Sequence, residues 1–335
     1  MNGFFRSSRS ALAAALAVGI AALAATPAVH AQGATNARLP SMTTIKSLSV
    51  PYFALEFIAA ERDLFKKYNL DVEFVTQVAQ GSAGIPAIVA GHVQTGQGFG
   101  VPPILQARAG GARVTAVYAG ITSTYGDFRF YTLADSGIKT AKQLAGKSFG
   151  INNFGTYADI ALLAFLAKDS VDVSQVRRLT VPLPSMCQAL LSKQVDAVAM
   201  YSLFYVPCEK ENAGKVVVLA KDSDAIPAAA KLYSAYVFAD DYIRENPGVV
   251  RAYIAGMRDA ADYVNKNPDA ARDIIAKRTK IPADKIVVPT FAKNGCIDTQ
   301  AAAEWVKVMV QHKAMPEGSA SATNWVNNSL NGACN

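Results

Sequence analysis

The chain has 335 residues, more than one compact core usually serves, so two domains of about 100–150 residues each are expected. It is 51% hydrophobic and 18% charged, a globular composition that argues against a disordered or collagen-like chain. The net charge of +7 falls to +5 once residues 1–31, which hold Arg6, Arg9 and no acid, are set aside. That excess is scattered, with no Lys/Arg run interleaved with aromatics, which argues against nucleic acid as a partner.

Arg6 and Arg9 precede a small-apolar run, Ala11 to Ala25, followed by Pro27 and Val29-His30-Ala31. This pattern reads as a secretory signal peptide over residues 1–31, cleaved before Gln32. A membrane span needs about 20 apolar residues, and this run is shorter. From Thr43 strands and helices alternate: a strand at Ile45–Val50, a helix at Glu56–Tyr68 with Phe57, Ile58, Leu64 and Phe65 on one face, and a strand at Asp71–Val75. Strand-helix-strand order at this spacing implies a parallel sheet. A helix from near Ile85 to Gly91, a strand, the Pro102-Pro103 turn, a helix to Arg108 and a strand at Val114–Ala119 complete a first series.

A second series opens with Phe128–Leu133 and continues through a helical turn at Ala141–Leu144, a strand at Lys147–Ile151 and an apolar helix at Tyr157–Ala167. Gln175–Thr180, Ser185–Lys193 and Ala197–Met200 supply strand, helix and strand. A strand at Ser234–Phe238 precedes helices at Arg244–Asn265, Pro268–Arg278 and Thr299–Lys313, with Pro247 and Pro268 as early-turn prolines. The two series are expected to be joined by crossing strands near residues 120–128 and 230–240. One unit occurs in both: Ala87 to Gly96 and Ala189 to Val198 each end an aliphatic helix, turn, and begin a short apolar strand. Each strand then runs toward an exposed-looking aromatic, Phe99 in one copy and Tyr201 in the other.

Signatures of catalysis fail. Only His92 and His312 follow the leader, and neither has metal-ligand spacing. Ala141 to Ser148 ends like a phosphate loop but lacks its first Gly and runs from helix into strand, the wrong order. Gly96-Gln97-Gly98-Phe99-Gly100-Val101 misses the last Gly of a dinucleotide fingerprint. No enzyme, cofactor or metal is expected.

Four loops at or before helix starts share a physical property: Gln80-Gly81-Ser82, Pro102-Pro103, Phe154-Gly155-Thr156 and Pro184-Ser185. Unpaired N–H groups and the positive end of the helix dipole favour an anionic or hydrogen-bond-accepting ligand there. Ordinary N-capping accounts for Ser82, Thr156 and Ser185 equally well. With the aromatics beside these loops, the candidate ligand site is Tyr52, Phe53, Gly81, Ser82, Phe99, Gly100, Asn153, Phe154, Gly155, Thr156, Ser185 and Tyr201. The cysteines number four. Cys334, at the fraying end, is expected to pair with Cys296, leaving Cys187 and Cys208, each near a helix start, for each other.

Phe57-Ile58-Ala59-Ala60-Glu61-Arg62-Asp63-Leu64-Phe65-Lys66-Lys67-Tyr68-Asn69-Leu70-Asp71-Val72-Glu73 is similar to an "A-x-x-x-G-L-F-x-K-x-G-L-x-V" family opening. Asp135-Ser136-Gly137-Ile138 with Leu144-Ala145-Gly146-Lys147 is similar to its "D-S-G-I…L-x-G-K" stretch, and Lys193 to Ala197 with Asn246-Pro247 extends the match over most of residues 45–270. These stretches resemble the nitrate/sulfonate/taurine-type solute-binding proteins of ABC importers, a family that includes thiamine-precursor pyrimidine binders. Asp63 and Asn69 depart from the pattern by standing where the family prefers Gly, and Tyr201-Ser202-Leu203-Phe204 replaces a Trp-acid-Pro-Phe loop.

The resemblance implies an α/β, two-lobed type II periplasmic binding protein fold, with parallel-type sheets flanked by helices and a ligand cleft between lobes. Lobe 1 would hold residues 42–122 with 238–335, and lobe 2 residues 123–237. It implies a monomer in the periplasm that captures a small organic anion, a sulfonate or carboxylate with aromatic ones included, and delivers it to an inner-membrane permease and its ATPase. The alternative ligand is a neutral pyrimidine-like ring, and a more distant alternative is an enzyme of the same fold.

Overall fold

In the computed structural model, which describes residues 37–49, 55–77, 84–96, 98–122, 128–292, 294–321 and 324–334, the first series forms β1 (Thr43–Ser49), α1 (Leu55–Glu61), β2 (Leu70–Gln77), α2 (Ile85–Val89), β3 (Thr95–Gly96), β4 (Phe99–Gly100), α3 (Val101–Ala109) and β5 (Val114–Ala119). The expected leader lies outside the described residues. The second series forms β6 (Phe128–Leu133), β7 (Ser148–Ile151), α4 (Tyr157–Lys168), β8 (Arg177–Thr180), α5 (Met186–Leu191), β9 (Ala197–Tyr201), α6 (Ser202–Glu211) and β10 (Val216–Lys221). Then come α7 (Asp222–Ala225), β11 (Ser234–Ala239), α8 (Asp240–Glu245), α9 (Pro247–Lys266), α10 (Pro268–Thr279) and α11 (Thr299–Gln311).

Both series build the same strand order. The second makes one sheet, β8-β7-β9-β6-β10. The first makes β2-β1-β3 and β4-β11-β5, which meet where the Thr95 hydroxyl donates to the Val237 carbonyl at 3.0 Å. The sheets are mixed rather than purely parallel: β6 and β11 run antiparallel to their neighbours. Each is the first strand after the chain passes from one sheet to the other, so it starts at the edge where the helix-connected strands end. The second passage spans residues 222–233, earlier than expected, and β11 (234–239) already belongs to the first sheet surface.

The sequence repeat occupies the third-strand position of each half. Ile88 and Leu190 are buried at the ends of α2 and α5, and Val93 and Val195 are buried before β3 and β9. Gly91 and Lys193, at matching places in the two turns, both take the left-handed conformation, with φ of 74° and 58°. Left-handed backbone also explains a shortened helix. The predicted helix at Glu56–Tyr68 stops at Glu61 and resumes as a 3-10 turn at Lys66–Tyr68, because Asp63 and Asn69 each adopt φ of 54°. These are the two places where the resembled family pattern has Gly, and short polar Asp and Asn tolerate the same left-handed geometry.

Other differences have local causes. Pro247 divides the predicted Arg244–Asn265 helix into α8 and α9, taking the first position of α9 where its missing N–H costs nothing. Elements α6 and β10 are not evident from the sequence. Pro207 lies inside α6, and Val217 and Val218 of β10 face solvent, so neither element shows the usual pattern. Cys296 is bonded to Cys334, and Cys187 to Cys208.

Candidate functional site

Strands β7, β9 and β10 run in one direction, so their carboxyl ends share an edge. From that edge emerge the 152–156 loop, Tyr201 and Asp222, the position where open α/β sheets hold ligands. The other half contributes Gly100, where β4 turns directly into α3. The halves touch here. A Cβ on Gly100 would lie 4.0 Å from the Tyr157 Cβ, and one on Gly155 would come within 2.8 Å of the Gln106 amide. Gly155 also needs φ of 70°, so the backbone disfavours a side chain there, whereas the Gln106 amide ends a flexible side chain that can shift.

Aromatic rings pack around this junction. Tyr157 lies 4.2 Å from Tyr233, 5.3 Å from Phe128 and 5.4 Å from Trp305, centroid to centroid. Tyr201 meets Phe128 at 4.8 Å and Tyr233 at 5.9 Å, both edge to face. Phe128 and Tyr233 stand at the ends of the two passages between sheets, and the Trp305 indole donates to the Leu232 carbonyl at 2.7 Å. The last helix, α11, is thereby tied to the second passage.

Asp222 is the residue that sequence reasoning missed. Its carboxylate is fully buried, accepts from the Tyr157 hydroxyl at 2.8 Å and from the Ser223 N–H at 2.7 Å, and burial pushes its pKa up to about 6 against those bonds. Only the strand end of the unrecognised β10 could have pointed to it. Tyr201 is partly buried, and its hydroxyl has no hydrogen-bond partner among the described residues. Burial first, and Asp222 second, raise its pKa above the ordinary phenol value.

The predicted site residues divide. Tyr52, Phe53, Gly81 and Ser82 lie outside the described residues. Gly100, Gly155, Thr156 and Tyr201 gather at the junction. Phe99 does not present an exposed ring: it is fully buried, packed so closely on Gly96 that a Cβ there would come within 2.8 Å of its Cζ. It is the interior counterpart of Tyr201. Tyr201 is followed by no loop either, since Ser202 already begins α6.

The 152–156 loop satisfies itself. The Thr156 hydroxyl, which makes no cap bond, lies 2.9 Å from the Asn152 amide oxygen and 2.7 Å from the Asn153 carbonyl. The Phe154 N–H donates to the Asn153 side chain at 3.0 Å, and the Gly155 N–H to Asp159 at 2.9 Å. Asp159, buried in the first turn of α4, also pairs with Arg178 at 2.7 Å. The helix therefore brings its own carboxylate to the N-terminus that was expected to hold a ligand's. Phe154 points outward, 54% exposed beneath the Arg178 guanidinium. Ser185 is exposed and makes no cap bond either.

The NMT1/THI5 like family model matches residues 50–271, about two thirds of the chain. The chain belongs to the NMT1/THI5-like family. A putative binding protein of Brucella abortus (strain 2308) is 30% identical over 239 residues, 71% of this chain and 70% of the relative. Among solved structures, the alkanesulfonate-binding protein SsuA from Xanthomonas axonopodis pv. citri, bound to MOPS, superposes with a TM-score of 0.71 at 16% identity, covering 86% of this chain and 99% of that one. The periplasmic nitrate-binding protein NrtA from Synechocystis PCC 6803 gives 0.72 at 12% identity, covering 86% and 87%. A desulfurization enzyme, DSZB, gives 0.63 at 17% identity, covering 86% and 99%. At these identities the likeness establishes the fold alone, which is the two-lobed periplasmic binding protein fold, and the neighbours of that fold include an enzyme as well as binding proteins.

Proposed function

We propose that this NMT1/THI5-like chain is the exported solute-binding component of an ABC importer, working in the periplasm as a monomer. It captures a small organic solute between the half built on β1–β5 with β11 and the half built on β6–β10. It then presents that solute to an inner-membrane permease and its ATPase. The observation that carries this reading is the junction itself: two sheets of one strand order, with the loops beyond their strand ends in contact through Gly100, Tyr157, Gly155 and Gln106. Such an arrangement binds by closing, since a solute touching both halves holds them together.

The solute is a small organic anion, a sulfonate or carboxylate. Support comes from the sulfonate- and nitrate-binding proteins of the same fold and from the helix starts at the cleft edge. A second reading, a neutral pyrimidine-like ring, is favoured by the buried Asp222 carboxylate and by Asp159, which already serves the α4 N-terminus. A thermal-shift panel of aliphatic sulfonates, aromatic carboxylates and pyrimidines separates the two. A ligand at about 100 times its Kd adds about 2.7 kcal/mol of apparent stability. Stabilisation by anions alone supports the first reading, by pyrimidines alone the second, and turnover of any panel member would replace both with an enzyme.

A further inference from the structure

Helix α6 reaches from the second half across to the first. It starts one residue beyond Tyr201, and Leu203 in its first turn packs against the first half's hydrophobic cluster, which includes Tyr118, Tyr253 and Phe291. Its far end makes two charged contacts with the same half: the Glu211 carboxylate pairs with the Lys285 ammonium, and the Lys210 ammonium donates to the Asp284 carbonyl. Residues 283–291 then run back to the first passage between sheets, where Phe291 bridges Ile121 and the Thr122 hydroxyl donates to the Thr290 carbonyl at 3.3 Å. Helix and segment thus leave the passages together and meet again at their outer ends. A groove of about 420 Å³ stays open beside them, with Val206, Ile286 and Val287 in its wall. Charged side chains, not a packed core, join the halves at that end.

The helix is braced where its sequence would weaken it. Pro207 has no N–H to offer the Leu203 carbonyl, and the next residue, Cys208, is bonded to Cys187 of α5. Tyr205 lies under the Arg129 guanidinium at 4.3 Å and Glu209 accepts from the Tyr131 hydroxyl at 2.7 Å, so α6 moves with its own sheet. Its 10 residues, at about 1.5 Å each, put the charged end about 15 Å from Tyr201, which packs on Phe128 and Tyr233 at the ends of the passages. A rotation of the halves by about 20° about the passages therefore shifts that end by about 5 Å, beyond ion-pair reach.

Taking the solute to be held between the halves, we propose that Glu211, Lys285 and Lys210 form a clasp that biases the halves toward this arrangement before solute arrives, with α6 as the lever between clasp and Tyr201. The clasp and the approach of Gly100 to Tyr157 belong to one arrangement of the halves, so each favours the other. A solute that needs both halves then finds them gathered more often, which raises its apparent affinity. An exposed pair of this kind shifts such an equilibrium by up to about fivefold, and salt screens it.

Double electron–electron resonance tests this in the full chain without solute, with spin labels on the exposed Val89→Cys and Val217→Cys, one in each half. Glu211→Lys sets two ammonium groups against each other, and Glu211→Lys/Lys285→Glu restores the pair in reverse. The minor distance population is expected to rise about fivefold in Glu211→Lys and to return to the wild-type level in the swapped pair. It should also rise in the wild type between about 0.01 and 1 M salt, as the screening length falls from about 30 to 3 Å. A distribution unchanged by Glu211→Lys, or a rise that the swapped pair leaves in place, overturns the proposal. Should Glu211→Lys lose its circular-dichroism signature, the wild type's salt response decides, a rise supporting the clasp and no rise overturning it. Because no solute is present, a chain stabilised by no member of the thermal-shift panel leaves this result standing, and the two claims fail separately.

Discussion

Glu56→Gln isolates the energetic cost of a carboxyl built into the interior of the first half. Glu56 stands in the first turn of α1, fully buried, accepting hydrogen bonds from the Tyr253 hydroxyl at 2.7 Å and the Ser47 hydroxyl at 2.9 Å. Burial outweighs both bonds and pushes its pKa from 4.5 to about 7. The fold thus holds the proton more tightly than the unfolded chain does. The stabilisation this gives is complete below pH 4.5 and is lost as pH rises through about 7. At about 1.4 kcal/mol for each tenfold in proton affinity, the full swing is on the order of 3 kcal/mol. Gln cannot ionise, so Glu56→Gln should be close to wild type or slightly less stable at acid pH, and more stable by up to about 3 kcal/mol at pH 8. Urea unfolding of both proteins from pH 4.5 to 8 measures this as a difference, which cancels the titration of Asp222 and of the surface groups. A difference that does not change with pH would refute the reasoning.

Tyr157→Phe keeps the ring packed among Phe128, Tyr233 and Trp305 but takes the Tyr157 hydroxyl from the Asp222 carboxylate, which keeps the Ser223 N–H, so thermal unfolding should report a loss of about 1–2 kcal/mol. Tyr201→Ala removes a partly buried ring and a hydroxyl without a hydrogen-bond partner among the described residues; calorimetric titration should show at least about tenfold weaker solute binding, and urea unfolding a cost of roughly 2 kcal/mol. Gly295→Ala combines a left-handed backbone, φ of 66°, with overlap of the new Cβ and the Tyr118 ring, and should cost roughly 3 kcal/mol by the same measurement. Opening the Cys296–Cys334 bond, which spans 38 residues, should destabilise by up to about 4 kcal/mol, and the 21-residue Cys187–Cys208 bond by about 3, in paired Cys→Ser variants unfolded in urea.

The fold was largely legible because its helix-connected strands repeat one unit. The aliphatic ends of α2 and α5 and the buried valines after them carry a pattern that a single chain displays twice. Elements without that pattern escaped. An amphipathic period cannot reveal α6, whose interior Pro207 argues against a helix, nor β10, whose solvent-facing Val217 and Val218 give no alternation. The site was only half legible for a related reason. Strand ends name the loops that gather at the junction, and Gly100, Gly155, Thr156 and Tyr201 stand there. Whether a ring at such a place faces the cleft or the core depends on what packs above it. Phe99 turned inward because Gly84 and Gly96 leave room for its ring, which is information held elsewhere in the chain. Asp222 was invisible because an acid after an unrecognised strand looks like any surface carboxylate until burial and the Tyr157 hydroxyl mark it.

The central claim is that two halves close on a solute, and small-angle X-ray scattering of the purified protein tests it most directly. Curves would be recorded without ligand and with a saturating concentration of the panel member that gives the largest thermal shift. The account predicts a smaller radius of gyration with ligand and a scattering profile that changes beyond concentration effects. Superimposable curves from a sample in which calorimetry shows the site filled would contradict it.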